Sequence, residues 1–236
     1  MKSPLMSVTT AGILLGLAGC AATPPPTMQT GPEAEVTVDG LYRVDNSVMA
    51  LAYVKPNLTL QSYTKLMIDD VVVAYKKDPE GRRRDSPGGV GAERNYALSP
   101  SQMDVLKSLF QEAVVKELTK DNGYQLVDAP APDVLRVDCY LIDLVVKVPT
   151  QNVTGRQQTF ASSYAEVTVV FELHDSESEE VLARVADRGD PTTTGGAGNL
   201  ASVSSAFVRT DLTRMFEYWA GLLREGMDKI NEAPLP

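Results

Sequence analysis

The sequence is poor in the residues that most often carry chemistry. The chain of 236 residues has one histidine, one tryptophan and two cysteines. Zinc sites in proteins are built mainly from cysteine and histidine, and this chain offers neither a pair of available thiols nor a second histidine. We therefore expect no metal and no cofactor, and the sequence assigns no catalytic residue.

The single histidine, His174, is followed by Asp175 and Ser176, the residue types of a hydrolase triad. Three consecutive residues cannot form a triad, because the hydroxyl must reach the imidazole from a separate element of the fold. The run continues into acidic and serine residues typical of a turn. The sequence thus predicts that His174 lies in an exposed hairpin turn and has no catalytic role.

Positive charge is also scarce. The chain has 22 Lys and Arg against 31 Asp and Glu, a formal net charge of −9. Proteins that bind nucleic acid or lie flat on anionic lipid need a positive face. The composition therefore argues against a nucleic-acid partner.

One basic cluster, Arg82, Arg83 and Arg84, interrupts this acidic background in a polar loop over residues 76–98. Loops of this length inside a domain are usually either functional or mobile. Guanidinium groups match phosphate and carboxylate geometry. Two interpretations stay open: a solvated spacer, or a contact for an anionic partner such as lipid phosphate or an acidic protein face.

The first cysteine, Cys20, follows Leu17, Ala18 and Gly19 at the end of a short apolar run with Lys2 ahead of it. This is the layout of an export signal. Leu-Ala-Gly-Cys resembles the lipobox of bacterial lipoproteins, which implies removal of residues 1–19 as a signal peptide and acylation of Cys20. No later apolar run approaches the roughly 20 residues needed to cross a bilayer. The lipid on Cys20 is thus the predicted membrane anchor.

The segment after Cys20 indicates a tether and a location. Residues 20–40 include three consecutive prolines, which favour an extended chain. Ala21 stands where lipoproteins retained in the inner membrane of Gram-negative bacteria commonly have Asp, so the resemblance implies the periplasmic face of the outer membrane in such a host. The second cysteine, Cys139, then has no partner in the chain, and its apolar strand context predicts a small buried residue.

Residues 41–236 are predicted to form one α+β domain with an antiparallel-rich sheet and two amphipathic helices. The first helix begins at Ser99, whose spacing to Gln102 is that of a capping box. The second covers about residues 200–230. Strand patterns occupy residues 66–75, 134–148 and a hairpin over 165–186, and the apolar face flips near Ile142, which indicates a bulge.

Residues 63–69, 133–137 and 175–183, together with the lipobox, resemble bacterial lipoproteins grouped as family 3313 of the domains of unknown function. That resemblance implies no activity and no catalytic residues. We expect a lipid-anchored module of the envelope that acts by binding, as an accessory to an envelope protein or as a carrier of a small or lipidic ligand. The alternative is a hydrolase of envelope polymers that uses carboxylates.

Overall fold

The computed structural model describes residues 24–77, 96–147, 160–161, 163–194, 201–202 and 205–232. The helices are α1 (Pro100–Thr119), α2 (Pro191–Thr194) and α3 (Ser205–Glu232). The strands are β1 (Thr27–Met28), β2 (Tyr42–Asp45), β3 (Leu51–Val54), β4 (Lys65–Ile68), β5 (Val72–Tyr75), β6 (Gln125–Leu126), β7 (Val134–Val146), β8 (Phe160–Ala161), β9 (Ala165–Asp175), β10 (Val181–Gly189) and β11 (Ala201–Ser202).

Nine of these strands form one mixed sheet in the order β1-β2-β3-β10-β9-β7-β4-β6, with β5 also paired to β7. The pairs of β7 with β4 and β5, and of β4 with β6, are parallel. The remaining pairs of this sheet are antiparallel, including the long β7–β9 and β9–β10 ladders. β8 and β11 form a separate two-stranded ladder.

Both long helices pack on one face of the sheet. Phe110 of α1 stacks on Phe171 of β9 with ring centroids 5.7 Å apart, and it meets Phe216 of α3 edge-on at 5.1 Å. The side chains at alternate positions of β7 and β9 complete this core, because successive strand residues point to opposite faces. The α+β class, the antiparallel-rich sheet and the two packed helices are as the sequence predicts.

The predicted strand over residues 66–75 is in fact two strands. β4 pairs with the first part of β7 and β5 with a later part, and the chain leaves strand geometry at Asp69, Asp70 and Val71 between them. Val71 is buried in the core. The two short strands thus pair with one long strand, and the carboxylates of Asp69 and Asp70 lie at the break between them.

The predicted bulge lies where the sequence indicates it. The register of β7 against β9 shifts between Ile142 and Val145, and Asp143 in the gap has a positive φ of 52°. The extra residue restores burial on the helix-covered face, so that Leu144 and Val146 are buried after the shift.

Part of the segment predicted to be a tether folds onto the domain. Thr27 and Met28 pair with β2, and Met28 is buried. Further along, Asp39 lies 2.8 Å from the guanidinium of Arg184 on β10. Contacts between the predicted tether and the domain therefore begin at Thr27, and residues 20–23 lie outside the described residues.

Candidate functional site

The face of the sheet opposite the two long helices carries polar side chains in a continuous row. Because strand residues alternate between faces, Glu172 and His174 of β9 point away from the helix-covered side that holds Phe171. Arg136 and Asp138 of β7 do the same. We call this side the open face of the sheet.

Antiparallel pairing aligns these polar residues across five strands. The cross-strand partners are Arg43 of β2 with Tyr53 of β3, Tyr53 with Arg184 of β10, Arg184 with Glu172 of β9, and Glu172 with Asp138 of β7. Side chains directly opposite each other in a sheet interact. The row therefore has cationic and aromatic groups at one end and two adjacent acidic groups, Glu172 and Asp138, at the other.

The prediction that His174 lies in an exposed turn is wrong. β9 continues through Asp175, so His174 is a strand residue, and it is only 6% exposed. Its Nδ1 lies 3.3 Å from the backbone carbonyl of Glu179. The acidic and serine residues after His174 are typical of a turn, and they suggested that His174 already belongs to that turn. The strand in fact continues through Asp175.

Two carboxylates face the other ring nitrogen of His174. Nε2 lies 3.3 Å from Oδ2 of Asp138 and 3.4 Å from Oε2 of Glu172. Nε2 nevertheless has no hydrogen-bond partner among the described residues. Asp138, Glu172 and His174 each present a ligand atom within 4.8 Å of the others, which makes them the described residues that could hold a metal ion.

Two arginines flank this group, which we call the His174 cluster (Asp138, Glu172 and His174). Arg184 Nε donates to Glu172 Oε1 at 2.5 Å. Arg136 Nη2 donates to Asp138 Oδ2 at 3.3 Å, and its Nε lies 3.1 Å from Asp138 Oδ1. Arg136 also lies 3.6 Å from Glu179 in an ion pair. The cluster is a half-buried network of charges in which carboxylates outnumber guanidiniums.

Asp69, at the break between β4 and β5, borders the same network. Burial raises its pKa above the ordinary value, the Asp138 carboxylate adds to this, and the Arg136 guanidinium opposes it. Arg136 Nε lies 3.8 Å from Asp69 Oδ2. Asp69 therefore connects the open face to the edge of the sheet.

That edge carries an open cleft of 570 Å³ between the end of β4, α1 and β6. Its acidic lining is Asp69, Asp70 and Asp128. The cleft is a concave surface where a cationic group or a sugar could be held, and Asp69 is the lining carboxylate with a raised pKa.

Cys139 is buried and free, as predicted. Burial raises the pKa of its thiol to about 12. Because the thiolate is the reactive form, this position is inert and Cys139 serves as a small core residue.

The residues that the sequence assigns to the anchor, Leu17, Ala18, Gly19 and Cys20, lie outside the described residues, and so do Arg82, Arg83 and Arg84. Their assignments stay predictions. No helix in the described ranges combines the length and apolar composition needed to cross a membrane.

The His174 cluster was missed by sequence reasoning. Each strand did contain a signal. Arg136 and Asp138 stand two residues apart, as do Glu172 and His174, so the members of each pair lie on the same face of their strand. What the sequence did not contain was the register that sets Asp138 opposite Glu172.

The chain belongs to the family described as "Protein of unknown function (DUF3313)", which matches residues 39–221. This confirms the family resemblance inferred from the sequence.

No curated protein matches the chain. Solved structures that are similar to the chain include two at low identity. The PelC dodecamer from Paraburkholderia phytofirmans is 12% identical, with a TM-score of 0.35, and the alignment covers 73% of this chain and 94% of that one. Protein XCC0632 from Xanthomonas campestris, of family DUF330, is 11% identical, with a TM-score of 0.38 and coverage of 75% and 91%.

Proposed function

We propose that this protein is a lipid-anchored lipoprotein of the bacterial cell envelope whose domain acts by binding. The anchor is the acylated Cys20, and the location is the periplasmic face of the outer membrane in a Gram-negative host. The support is the sequence Leu17-Ala18-Gly19-Cys20 behind an apolar run. The partner is an envelope protein or an anionic lipid.

The observation that carries the binding proposal is the open face of the sheet. Its row of cross-strand pairs places the cationic Arg184 beside two adjacent acidic side chains, Glu172 and Asp138, on neighbouring strands. Complementary charges across an interface give specificity and fast association more than raw affinity. A rigid sheet that holds such charges half-buried suits the recognition of a polar partner surface.

The anchor is tested by metabolic labelling with an alkynyl palmitate analogue. The parent chain should incorporate the label and sediment with membranes, because two or three acyl chains give stable anchoring where one does not. A Cys20→Ala variant should lose both properties, whereas a Cys139→Ala variant should keep them. Membrane-bound, labelled Cys20→Ala would refute the anchor.

The binding face is tested by photo-crosslinking in cells. p-Benzoyl-phenylalanine replaces Tyr140, which shares the open face with Asp138, or Tyr218, which is 53% exposed on α3. The two substitutions are chemically matched. Binding through the open face predicts a crosslinked product of discrete mass at Tyr140 and none at Tyr218. The same product from both positions, or none from Tyr140, would contradict it.

A second candidate function, hydrolysis of an envelope polymer, has one observation in its favour. The cleft at the sheet edge holds Asp69, whose pKa is raised, beside Asp70 and Asp128. A general acid requires such a carboxyl group. Release of soluble fragments from purified envelope polymer by the parent, abolished in Asp69→Asn, would establish this activity in place of binding alone.

A further inference from the structure

The contact at Nδ1 determines which tautomer the neutral imidazole of His174 adopts. Nδ1 lies 3.3 Å from the carbonyl oxygen of Glu179. A carbonyl can only accept, so Nδ1 carries the hydrogen and donates. In the neutral imidazole, Nε2 then has a lone pair and no hydrogen.

Two groups that also only accept lie beside that lone pair. Asp138 Oδ2 and Glu172 Oε2 lie 3.3 and 3.4 Å from Nε2, and the His174 side chain is 8% exposed. Buried polar atoms normally have hydrogen-bond partners, but a lone pair that is surrounded only by acceptors has no donor to bind. The arrangement calls for something positive at its centre.

The surrounding charges point the same way. The carboxylates of Asp69, Asp138 and Glu179 surround one guanidinium, that of Arg136. The carboxylates of Asp39 and Glu172 surround the other, that of Arg184. Five carboxylates thus face two guanidiniums, and the negative excess favours a bound cation.

We propose that Asp138, Glu172 and His174 form a binding site for a divalent transition-metal ion, with Zn²⁺ as its preferred occupant. This goes beyond the proposed binding function and does not depend on it. It also replaces the expectation of no metal, which rested on counting cysteines and histidines and left out carboxylates supplied across strands.

The spacing of the ligand atoms favours zinc. A tetrahedral ion with ligands at about 2.0–2.2 Å holds its ligand atoms roughly 3.3–3.6 Å apart, and the two distances from Nε2 are 3.3 and 3.4 Å. Octahedral Mg²⁺ would need roughly 2.9 Å, and Ca²⁺ takes oxygen ligands rather than imidazole. Three protein ligands leave the fourth position for water or for a group of the partner.

The outer contacts have the form seen around metal ligands. A ligating histidine usually donates its second ring N–H to a backbone carbonyl or carboxylate, as Nδ1 does to Glu179. Arg184 holds Glu172 through Oε1, which leaves Oε2 for the metal. Both contacts orient a ligand and lie outside the ligand set.

The test uses the full chain purified in detergent, without a histidine tag and after EDTA treatment. Zn²⁺, Mn²⁺, Mg²⁺ and Ca²⁺ are titrated in turn by calorimetry, and the imidazole ¹⁵N resonances are followed in parallel. Because His174 is the only histidine, these resonances report on this site alone. We expect one equivalent of Zn²⁺ to bind, to shift the Nε2 resonance, and to bind more tightly than Mg²⁺ and Ca²⁺.

Glu172→Gln should weaken zinc binding by about tenfold or more. Glu177→Gln makes the same chemical change at an exposed position of the β9–β10 turn and should leave binding unchanged. Absence of zinc binding, zinc binding that leaves the imidazole resonances unmoved, or equal binding by Glu172→Gln would each overturn the proposal. The titration of the parent decides the matter even if Glu172→Gln does not fold.

Discussion

Gly189 at the end of β10 lies directly against the indole ring of Trp219 on α3. A Cβ atom built on Gly189 would stand 2.7 Å from Cζ2 of Trp219 and 3.0 Å from Sδ of Met215. The helix reaches the sheet this closely only because this strand position has no side chain. The contact fixes how α3 docks over the β9–β10 ladder.

Gly189→Ala should therefore destabilise the domain. The added methyl group cannot be accommodated without moving the buried indole, and overpacking of this kind costs about 1–3 kcal/mol. Gly226→Ala is the control, since its nearest neighbour would be Val48 Cγ2 at 3.6 Å. There the better helix propensity of Ala should stabilise by up to about 1 kcal/mol. Urea unfolding measures both, and equal stability of Gly189→Ala and the parent would contradict the close packing.

Trp219→Ala should destabilise by about 3–5 kcal/mol, as expected for removal of a buried aromatic ring. Trp219 is 1% exposed, so its indole ring lies in the buried face of α3. Tyr218→Ala is the matched control on the same helix, and it should change the free energy of unfolding by less than about 0.5 kcal/mol. If the two variants were equally stable, α3 would not pack through the indole face.

The signals that predicted the fold are local ones. The Ser99 side chain accepts from the Gln102 backbone N–H, and the Gln102 side chain accepts from the Ser99 N–H at 2.8 Å. This capping box needs four residues and could be recognised from them. The bulge after Ile142 was likewise encoded by a change of parity within one strand.

The site could not be predicted in the same way, because it depends on the register between distant strands. His174 is buried since β7 lies beside β9 with Arg136 opposite His174. A register one residue different would turn every side chain to the other face. The sequence alone therefore placed His174 in a turn, whereas the pairing of β9 with β7, which sets His174 opposite Arg136 38 positions earlier in the chain, brings two carboxylates to it.

The stability of the domain should depend on Glu166 at acidic pH. Hydrogen bonds from Lys147 and Arg188 lower the pKa of Glu166 to about 2, from an ordinary value of 4.5. A carboxylate with a lowered pKa stabilises the fold above its unfolded pKa, and that contribution is lost as the pH falls through the folded value. Parent and Glu166→Gln should thus differ by about 1–2 kcal/mol near pH 6, and the difference should vanish between about pH 4.5 and 2.

Urea titrations at several pH values measure this difference. Repeating the comparison in a Lys147→Gln background provides the control, because removal of the first partner should shrink the effect of Glu166→Gln. A difference that stays constant from pH 6 to pH 2.5 would show that Glu166 contributes through something other than its charge.

Neutralising the basic cluster should weaken binding to anionic surfaces. Arg82, Arg83 and Arg84 stand in a chain with a formal net charge of −9, so any contact with phosphate or carboxylate groups through them would be salt-sensitive. The variant replaces all three arginines by Gln. The control replaces Arg209, which is exposed on α3, together with Lys107 and Lys229, so that the net charge changes equally.

Sedimentation with vesicles of anionic and of neutral lipid, at low and high salt, distinguishes an effect of the net charge of the protein from an effect of this loop. If the loop is a contact, only the triple arginine variant should lose the salt-sensitive part of the binding. Equal losses in both variants, or none in either, would make the loop a spacer, and the open face of the sheet would remain the candidate contact.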